Sequence, residues 1–272
     1  MHIGFIGTGS MGTILIEAFI ESGALLPSQI IASNRTREKL SPLLAKYPGI
    51  NTAANRDVAL QADFLFLCVK PLDYRVVLDE IRDCLDDQKL LLSITSSVGV
   101  ERLESFLTCK VARVIPSITN AALSGATLVT MGRRLQDEDA QALFTLLSAI
   151  STPIHIGEAE TRISSDIVSC GPAFFSFLLQ RFIDSAIQET SLSEGQATEM
   201  MTQMIIGMGR LLEDGRFSLP TLQQRVCVPG GVTGVGLRVI DAETKDVFTQ
   251  TIQATQEKFA SDLAEVKASF SK

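Results

Sequence analysis

The clearest candidates for chemistry lie near the start of the chain, where Gly7, Gly9 and Gly12 form a G-x-G-x-x-G pattern. In a dinucleotide-binding turn the first glycine permits a tight bend, the second lets the backbone approach a pyrophosphate, and the third lets a helix pack closely on a strand. Such a turn needs a strand before it and a helix after it, because the helix N-terminus supplies the N–H groups that bind phosphate. Apolar residues at 3–6 predict that strand, and apolar residues at helical spacing over 14–19 predict that helix. Together they predict a dinucleotide site; the alternative is a glycine-rich turn with a purely structural role.

The polar residues Ser33, Asn34 and Arg35 predict which dinucleotide binds. They follow a predicted second strand at 29–33, where a dinucleotide-binding fold that prefers NAD usually carries Asp or Glu. No carboxylate occurs here before Glu38, and hydroxyl, amide and guanidinium groups suit a 2′-phosphate. The pattern therefore favours NADPH, with NADH as the second cofactor. An ordinary strand-to-helix turn with solvated arginines is the alternative.

Two further polar residues, Asn55 and Lys70, lie at the ends of predicted elements. The continuous apolar run before Lys70 is typical of a parallel strand that is buried on both faces. Lys70 follows this strand at the edge of the sheet where ligands bind in open α/β folds. A cofactor or substrate contact and a solvated lysine both fit that place. Asn55 is predicted to cap a short helix at 56–61.

The second chemical element is the late run from Pro229 to Thr233, which contains Gly230 and Gly231. Proline followed by two glycines at the start of a helix exposes several N–H groups in one direction, and such a helix start binds anions. A substrate carboxylate could bind the N–H groups of Gly231, Val232 and Thr233, with the Thr233 hydroxyl directed at a neighbouring atom. The alternative is a plain turn with Thr233 near the helix start.

Composition and charge narrow the class of protein. The 272 residues are 46% apolar and 20% charged, as in globular proteins, and a net charge of −7 without a basic block argues against a nucleic-acid or anionic-membrane partner. No signal peptide is expected, since the first Arg or Lys is Arg35. The uncharged stretch 114–132 is a poor spanning helix because it contains proline, asparagine and hydroxyl residues, so a cytoplasmic protein is predicted. The five cysteines form no C-x-x-C pair and are accompanied only by His2 and His155, so no metal site is predicted.

The order of predicted elements defines the fold class. Strands alternate with helices as far as residue 157, which predicts an α/β, Rossmann-type doubly wound sheet. Only helices are predicted after it, so the chain divides into an NADP-binding domain (1–157) and an all-α C-terminal domain (158–272). The helix at 171–188 is apolar on nearly all sides and the helix at 193–212 carries four methionines, so both are expected to be buried. We expect the second domain to form a dimer in which helices pack across subunits. Strands are predicted at 3–6, 29–33, 51–53, 64–69, 89–93, 110–115, 126–131 and 152–156, and further helices at 72–85, 100–107, 137–150 and 243–269.

Four runs together resemble the pyrroline-5-carboxylate reductase family over essentially the whole chain. They are the glycine turn with its strand, the Val-Lys-Pro run ending at Pro71, the Cys-Gly-Pro-Ala-Phe run at 170–174, and the late Pro-Gly-Gly-x-Thr run, which is the most specific. The resemblance implies NADPH-dependent reduction of a cyclic imine carboxylate, 1-pyrroline-5-carboxylate to proline, by hydride transfer to the C=N carbon. It also implies a homodimer built by the helical C-terminal domains, in some members assembled further into a decamer.

The resemblance assigns roles by position. The Thr233 hydroxyl would reach the imine nitrogen as the catalytic group, and a substrate that is already an iminium needs no strong general acid. The absence of lysine between Lys110 and Lys245 fits that chemistry. The substrate carboxylate would be held by Gly230, Gly231, Val232 and Thr233. NADPH would be held by Gly7, Thr8, Gly9, Ser10, Met11, Gly12, Ser33, Asn34, Arg35, Asn55, Cys68, Val69, Lys70 and Pro71.

Several positions on the nicotinamide and substrate side depart from the family pattern. A lost polar group there would remove transition-state contacts or change the substrate, whereas the phosphate side keeps the family residues. The pattern resembles the divergent late-competence (ComER-type) members of the family in bacilli. The alternative function is therefore an NADP-binding regulatory paralogue with weakened or altered catalysis, linked to competence or development. A β-hydroxyacid dehydrogenase shares the first domain's fold, but resemblance to that family would require a catalytic lysine in the first helix of the second domain. Residues 163–188 contain no lysine, so this alternative is set aside. The altered positions are Ser97, Ser117, Ile118, Cys170 and Val228.

Overall fold

The computed structural model describes residues 1–270 and contains two compact units. One unit comprises Met1–Pro172 together with the chain from Ala254 onward, and the other comprises Ala173–Gln253. The division into functional domains at residue 157 stays a prediction. Within residues 1–270, no helix is both long enough and apolar enough to cross a membrane.

The first unit is built on one eight-stranded sheet, which confirms the α/β doubly wound class. The strands are β1 Ile3–Ile6, β2 Ile30–Ser33, β3 Asn51–Thr52, β4 Phe64–Leu67, β5 Leu90–Ser93, β6 Lys110–Ile115, β7 Ala126–Met131 and β8 Thr152–His155. They lie in the order β3-β2-β1-β4-β5-β6-β7-β8, and only the β6–β7 pair is antiparallel. The chain order reverses at β1, between β2 and β4, and ligands of such sheets bind outside the carboxyl ends of the strands at this point.

Two apolar cores bury the two faces of the sheet. Phe64 and Phe66 of β4 belong to one core, and Leu65 and Leu67 of the same strand belong to the other. The Phe66 ring stacks on Phe5 of β1, with ring centroids 4.9 Å apart. The continuous apolar run in the sequence therefore has the predicted cause, a parallel strand that is covered on both faces.

Twelve α-helices lie within residues 1–270. A π-helical turn, Asp166–Cys170, joins the seventh to the eighth. Beyond β8 the described residues contain only helices and turns, which confirms the all-α second part. The helices are α1 Ser10–Glu21, α2 Ser41–Lys46, α3 Asn55–Gln61, α4 Tyr74–Ile81, α5 Val100–Phe106, α6 Asp137–Ser148, α7 Thr161–Ser165, α8 Gly171–Glu189, α9 Glu194–Glu213, α10 Leu219–Val226, α11 Val232–Thr244 and α12 Val247–Phe270.

Three helix predictions are corrected. Asn55 is the first residue of α3 and not its cap, which is Ala54. The helix predicted at 72–85 is α-helical only over α4, and both of its ends are 3₁₀ turns. The last helix does not begin at Glu243, which belongs to α11. A two-residue turn at 245–246 separates α11 from α12. Neither Gly nor Pro occurs at this turn, so the sequence carries no signal that one helix ends and another begins there.

The apolar faces of α8 and α9 are not buried within this chain. The exposed fractions of Phe175, Phe177 and Phe182 are 57%, 58% and 67%, and that of Met200 is 59%. The expectation that these helices are buried is therefore wrong within the single chain, because among residues 1–270 these side chains stay exposed. Their predicted packing across a dimer stays a prediction.

Candidate cofactor cleft and anion-binding turn

The turn between β1 and α1 has the geometry for which its glycines were singled out. Gly7 has a φ of +97°, and a Cβ on it would lie 2.5 Å from the carbonyl oxygen of Cys68. A Cβ on Gly12 would lie 2.3 Å from the carbonyl oxygen of Gly7, so turn and helix touch through their backbones. Gly9 is the N-cap of α1, and the space around its Cβ position is open to 4 Å. The turn therefore leaves room for an anion at the N-terminus of α1.

A cleft of about 340 Å³ lies beside this turn and is lined by residues that follow β1, β2 and β4. The other predicted cofactor residues do not line it: Thr8 and Ser33 are buried, and Ser10, Met11, Gly12 and Pro71 lie outside the lining. Direct contact of the cofactor with any residue stays a prediction. The predicted cofactor residues that line the cleft are Gly7, Gly9, Asn34, Arg35, Asn55, Cys68, Val69 and Lys70.

Side-chain hydrogen bonds connect the buried polar residues to the cleft. Ser33 Oγ donates to Asn55 Oδ1 at 2.6 Å, and Asn55 Nδ2 donates to Glu80 Oε2 at 2.8 Å. In the same way, Asn34 Nδ2 donates to Thr8 Oγ1 at 2.8 Å. Ser33 and Thr8 therefore orient the amides of Asn55 and Asn34, which are the groups that line the cleft.

Three basic side chains line the cleft and could bind a phosphate: Arg35, Lys39 and Lys70. The Arg35 side chain is 88% exposed, and its Nη1 lies 3.7 Å from Asp73 Oδ1. Such an exposed ion pair is weak, so the guanidinium can turn to a phosphate at little cost. Sequence reasoning missed Lys39, although the concentration of basic residues from 35 to 39 was an available signal.

Helix α4 contributes a part of the cleft wall that sequence reasoning also missed. Val76, Val77 and Glu80 line the cleft, and their i, i+1, i+4 spacing puts them on one side of the helix. The available signal was the amphipathic pattern of the helix predicted at 72–85, to which no ligand contact was assigned.

Cys68 and Tyr74 are neutral groups beside the cleft. Burial raises the pKa of the Cys68 thiol well above its usual range, so the thiol stays protonated. The hydroxyl of Tyr74 is wholly buried, donates to the Leu67 carbonyl oxygen at 3.0 Å and lies 3.0 Å from Ser93 Oγ. Burial also raises the pKa of Tyr74. Neither group is activated for nucleophilic catalysis.

The late glycine turn lies in the second unit and leads directly into α11. Gly230 has a φ of +74°, and a Cβ on Gly231 would lie 2.9 Å from Val228 Cγ2. Gly231 is the N-cap of α11, but its N–H donates to the Val228 carbonyl oxygen at 3.0 Å. Of the three N–H groups expected to bind a carboxylate, that of Gly231 is therefore already used. Those of Val232 and Thr233, in the first turn of the helix, are the candidates that remain.

The five positions that the resemblance marks as altered have different surroundings. Ser117 is wholly buried, and its Oγ donates to the Val168 carbonyl oxygen at 2.8 Å. Cys170 Sγ accepts a hydrogen bond of 3.3 Å from Arg162 Nη2. Val228 is 59% exposed at the late glycine turn. The other two positions are Ser97, which is buried, and Ile118, which is exposed.

Two family models match this chain. The model described as NADP oxidoreductase coenzyme F420-dependent matches residues 2–97. The model described as pyrroline-5-carboxylate reductase dimerisation matches residues 158–261. The glycine turn and the cleft lining up to Glu80 fall in the first match, and the late glycine turn falls in the second.

Several named proteins resemble the chain over nearly its whole length. ComE operon protein 4 of Bacillus subtilis is 47% identical over 271 residues, which cover 99% of each chain. Pyrroline-5-carboxylate reductase 3 of the same organism is 28% identical over 259 residues, which cover 95% of each chain. The solved pyrroline-5-carboxylate reductase of Coxiella burnetii has the same fold, with a TM-score of 0.87 at 24% identity, over 96% of this chain and 98% of that one.

Proposed function

This chain belongs to the pyrroline-5-carboxylate reductase family, a family of NADP-dependent oxidoreductases, and we propose that it reduces 1-pyrroline-5-carboxylate to proline with NADPH. The observation that carries the proposal is the cleft at the ends of β1, β2 and β4. It brings together eight of the residues that the family resemblance assigned to the cofactor. NADPH supplies the hydride when bound, so the protein's task is to bind and orient.

Binding of NADPH rests on complementary chemistry within the cleft. The open space at Gly9 receives the pyrophosphate at the N-terminus of α1. Arg35 and Lys39 hold the 2′-phosphate, which NADH lacks. The amide of Asn34, oriented by Thr8, adds a hydrogen-bond donor or acceptor at the same end. This arrangement favours NADPH over NADH.

Binding of the substrate rests on the late glycine turn. The N–H groups of Val232 and Thr233 point out of the first turn of α11 and bind the substrate carboxylate, assisted by the positive end of the helix dipole. The Thr233 hydroxyl is the catalytic group, which hydrogen-bonds the imine nitrogen as the C=N bond is reduced. Hydride addition to an iminium gives the amine directly, so no protein group, Thr233 included, has to deliver a proton in this step.

A second candidate function is an NADP-binding regulatory protein with weakened or altered catalysis. The identity to ComE operon protein 4 is 47%, against 28% to pyrroline-5-carboxylate reductase 3 of the same organism. The exposed apolar side chain of Val228 beside the substrate turn is compatible with this function. It predicts NADPH binding without turnover.

We propose a homodimer, in the cytoplasm, as the working form. The exposed apolar side chains of α8 and α9, together with the match to a dimerisation domain, support the dimer. A decamer assembled from such dimers is the larger alternative. Gel filtration with light scattering distinguishes monomer, dimer and decamer by mass.

The decisive experiment measures NADPH oxidation with 1-pyrroline-5-carboxylate and direct NADPH binding on one preparation. Turnover on the order of 1–1000 s⁻¹, the usual range of enzymes, supports the reductase. Tight NADPH binding with no turnover supports the regulatory protein. Absence of NADPH binding contradicts both candidates.

A further inference from the structure

Two acidic side chains, Asp73 and Glu80, are among the residues that line the cleft. Glu80 is hydrogen-bonded to the lining residue Asn55, and binding of a phosphate does not explain why a carboxylate lies there. It lines the same cleft as Gly9 and Arg35. A carboxylate repels a phosphate and accepts hydrogen bonds, so the exposed Glu80 favours a ligand group that donates one. The proposed cofactor offers few donors in its adenosine half: the 6-amino group of adenine and the 3′-hydroxyl of a ribose whose 2′ position carries phosphate.

The surroundings of Glu80 favour the base over the sugar. Val76 and Val77 lie one turn earlier on the same side of α4 and line the cleft with it. This side of the helix therefore presents apolar side chains followed by a carboxylate. A purine needs apolar contact for its ring faces and a hydrogen-bond partner at its edge, and pockets built in this way are typical of such ligands.

The carboxylate is also held in a defined orientation. Its Oε2 accepts a hydrogen bond from Asn55 Nδ2 at 2.8 Å, and the Asn55 amide is itself held by Ser33. The backbone carbonyl of Glu80 accepts a hydrogen bond of 2.7 Å from Arg56 Nη1. With one oxygen bound to Asn55, the second oxygen, Oε1, is the acceptor left for a ligand. Such preorganisation is what specificity for one base requires.

We propose that Glu80 is a specificity-determining residue that reads the adenine base of the cofactor by accepting a hydrogen bond from its 6-amino group. The inference rests on the proposed NADPH binding and adds the base contact to it. Replacing adenine by hypoxanthine exchanges the 6-amino donor for an oxygen, which would face the carboxylate, and moves the nearest donor to N1, away from the position of the 6-amino group. The protein should therefore reject the hypoxanthine form of NADPH although every phosphate and ribose group is unchanged.

The test compares the affinities of NADPH and its hypoxanthine analogue by nicotinamide fluorescence, in the wild-type chain and in Glu80→Gln. The wild type should bind NADPH about ten-fold or more tightly than the analogue, as expected for one hydrogen bond to a charged group. A glutamine amide can accept from an amino group or donate to an oxygen, so Glu80→Gln should bring the ratio of the two affinities close to one. Asp79→Asn is the matched control, because it removes the same charge from the neighbouring position, which does not line the cleft, and it should keep the wild-type ratio.

The ratio of the two affinities distinguishes recognition of the base by Glu80 from a contact with the ribose and from support of Asn55. Equal affinities of the wild type for both dinucleotides, or a wild-type ratio in Glu80→Gln, overturns the inference. A loss of affinity in Glu80→Gln that is equal for both dinucleotides assigns Glu80 to the ribose or to support of Asn55, and also overturns it. A wild-type chain that binds neither dinucleotide refutes the proposed cofactor itself.

Discussion

Replacing Gly9 by alanine should separate cofactor binding from folding. Gly9 has φ −74° and ψ −168°, which alanine adopts without strain, and its Cβ position is open to 4 Å. The free energy of unfolding should change by less than about 1 kcal/mol, because the entropic benefit of Gly→Ala offsets the lower preference for alanine at an N-cap. The added methyl group, however, occupies the space through which a pyrophosphate reaches the N–H groups of α1.

The expected loss of affinity follows from the bonds at stake. One hydrogen bond to a charged group contributes about 1.5–3 kcal/mol, so loss of one phosphate contact weakens NADPH binding roughly 10- to 150-fold. Gly12→Ala provides the contrast. Its Cβ would lie 2.3 Å from the carbonyl oxygen of Gly7, so the backbone must shift, at a cost of about 1–3 kcal/mol or more.

NADPH fluorescence titration and urea unfolding on the same samples measure both quantities. Gly236→Ala, inside α11 with open space around its Cβ position, is the control for glycine replacement in general. It should raise stability by up to about 1 kcal/mol and leave NADPH affinity unchanged. Wild-type affinity in Gly9→Ala, or destabilisation of Gly9→Ala equal to that of Gly12→Ala, would refute the reasoning.

Three further substitutions test the 2′-phosphate contact, the substrate turn and a buried thiol. Arg35→Ala should weaken NADPH binding by roughly ten-fold or more and leave NADH binding nearly unchanged in the same titration; equal losses would contradict the 2′-phosphate assignment. Thr233→Ala should lower kcat for imine reduction without changing NADPH affinity, and Thr233→Ser should restore turnover; a matching fall in NADPH affinity would exclude the assigned role. Burial raises the pKa of Cys109 from 9.0 to about 11, so above pH 9 the unfolded chain loses a proton that the folded chain keeps, and stability falls as pH rises. This thiol alone should lower the free energy of unfolding by about 2 kcal/mol between pH 9 and 11; in urea titrations Cys109→Ala should reduce that fall, and an equally large fall in Cys109→Ala would contradict the expected effect.

Features that depend on residues close to one another in the chain could be predicted from the sequence. The apolar run that contains β4 predicted a strand buried on both faces, and its side chains do alternate between the two cores. The three glycines predicted a tight backbone contact between turn and helix, which Gly7 and Gly12 make. In both cases the determining interactions are local or follow from the period of the element.

Contacts between distant elements could not be predicted in this way. Asn55 was expected to cap α3, but its amide instead joins Ser33, 22 residues earlier, to Glu80, 25 residues later. A side chain at a helix start can hydrogen-bond either to the local N–H groups or to partners from other elements. Only the folded sheet brings those distant partners within hydrogen-bond distance. The prediction that the phenylalanines of α8 are buried was wrong within the single chain for a related reason. Hydrophobicity alone does not say whether an apolar helix face is covered by its own chain or by a second one.

Few polar groups of the late glycine turn are free to contact a substrate. Ser117 is one of the positions that the family resemblance marks as altered, and its hydroxyl is buried and bonded to the Val168 carbonyl oxygen, so this hydroxyl is not a candidate for substrate binding. Val228 presents an apolar side chain at the late turn, and the Gly231 N–H is bonded within that turn. The polar groups that remain for a substrate there are the first N–H groups of α11 and the Thr233 hydroxyl. If the chain is a reductase, its chemistry must depend strongly on Thr233, because few other groups at this turn can replace it. If it is a regulatory protein, the wild type should show no turnover for Thr233→Ala to lower; for either function the variant should keep its NADPH affinity, so the fall in kcat is the result that supports the reductase.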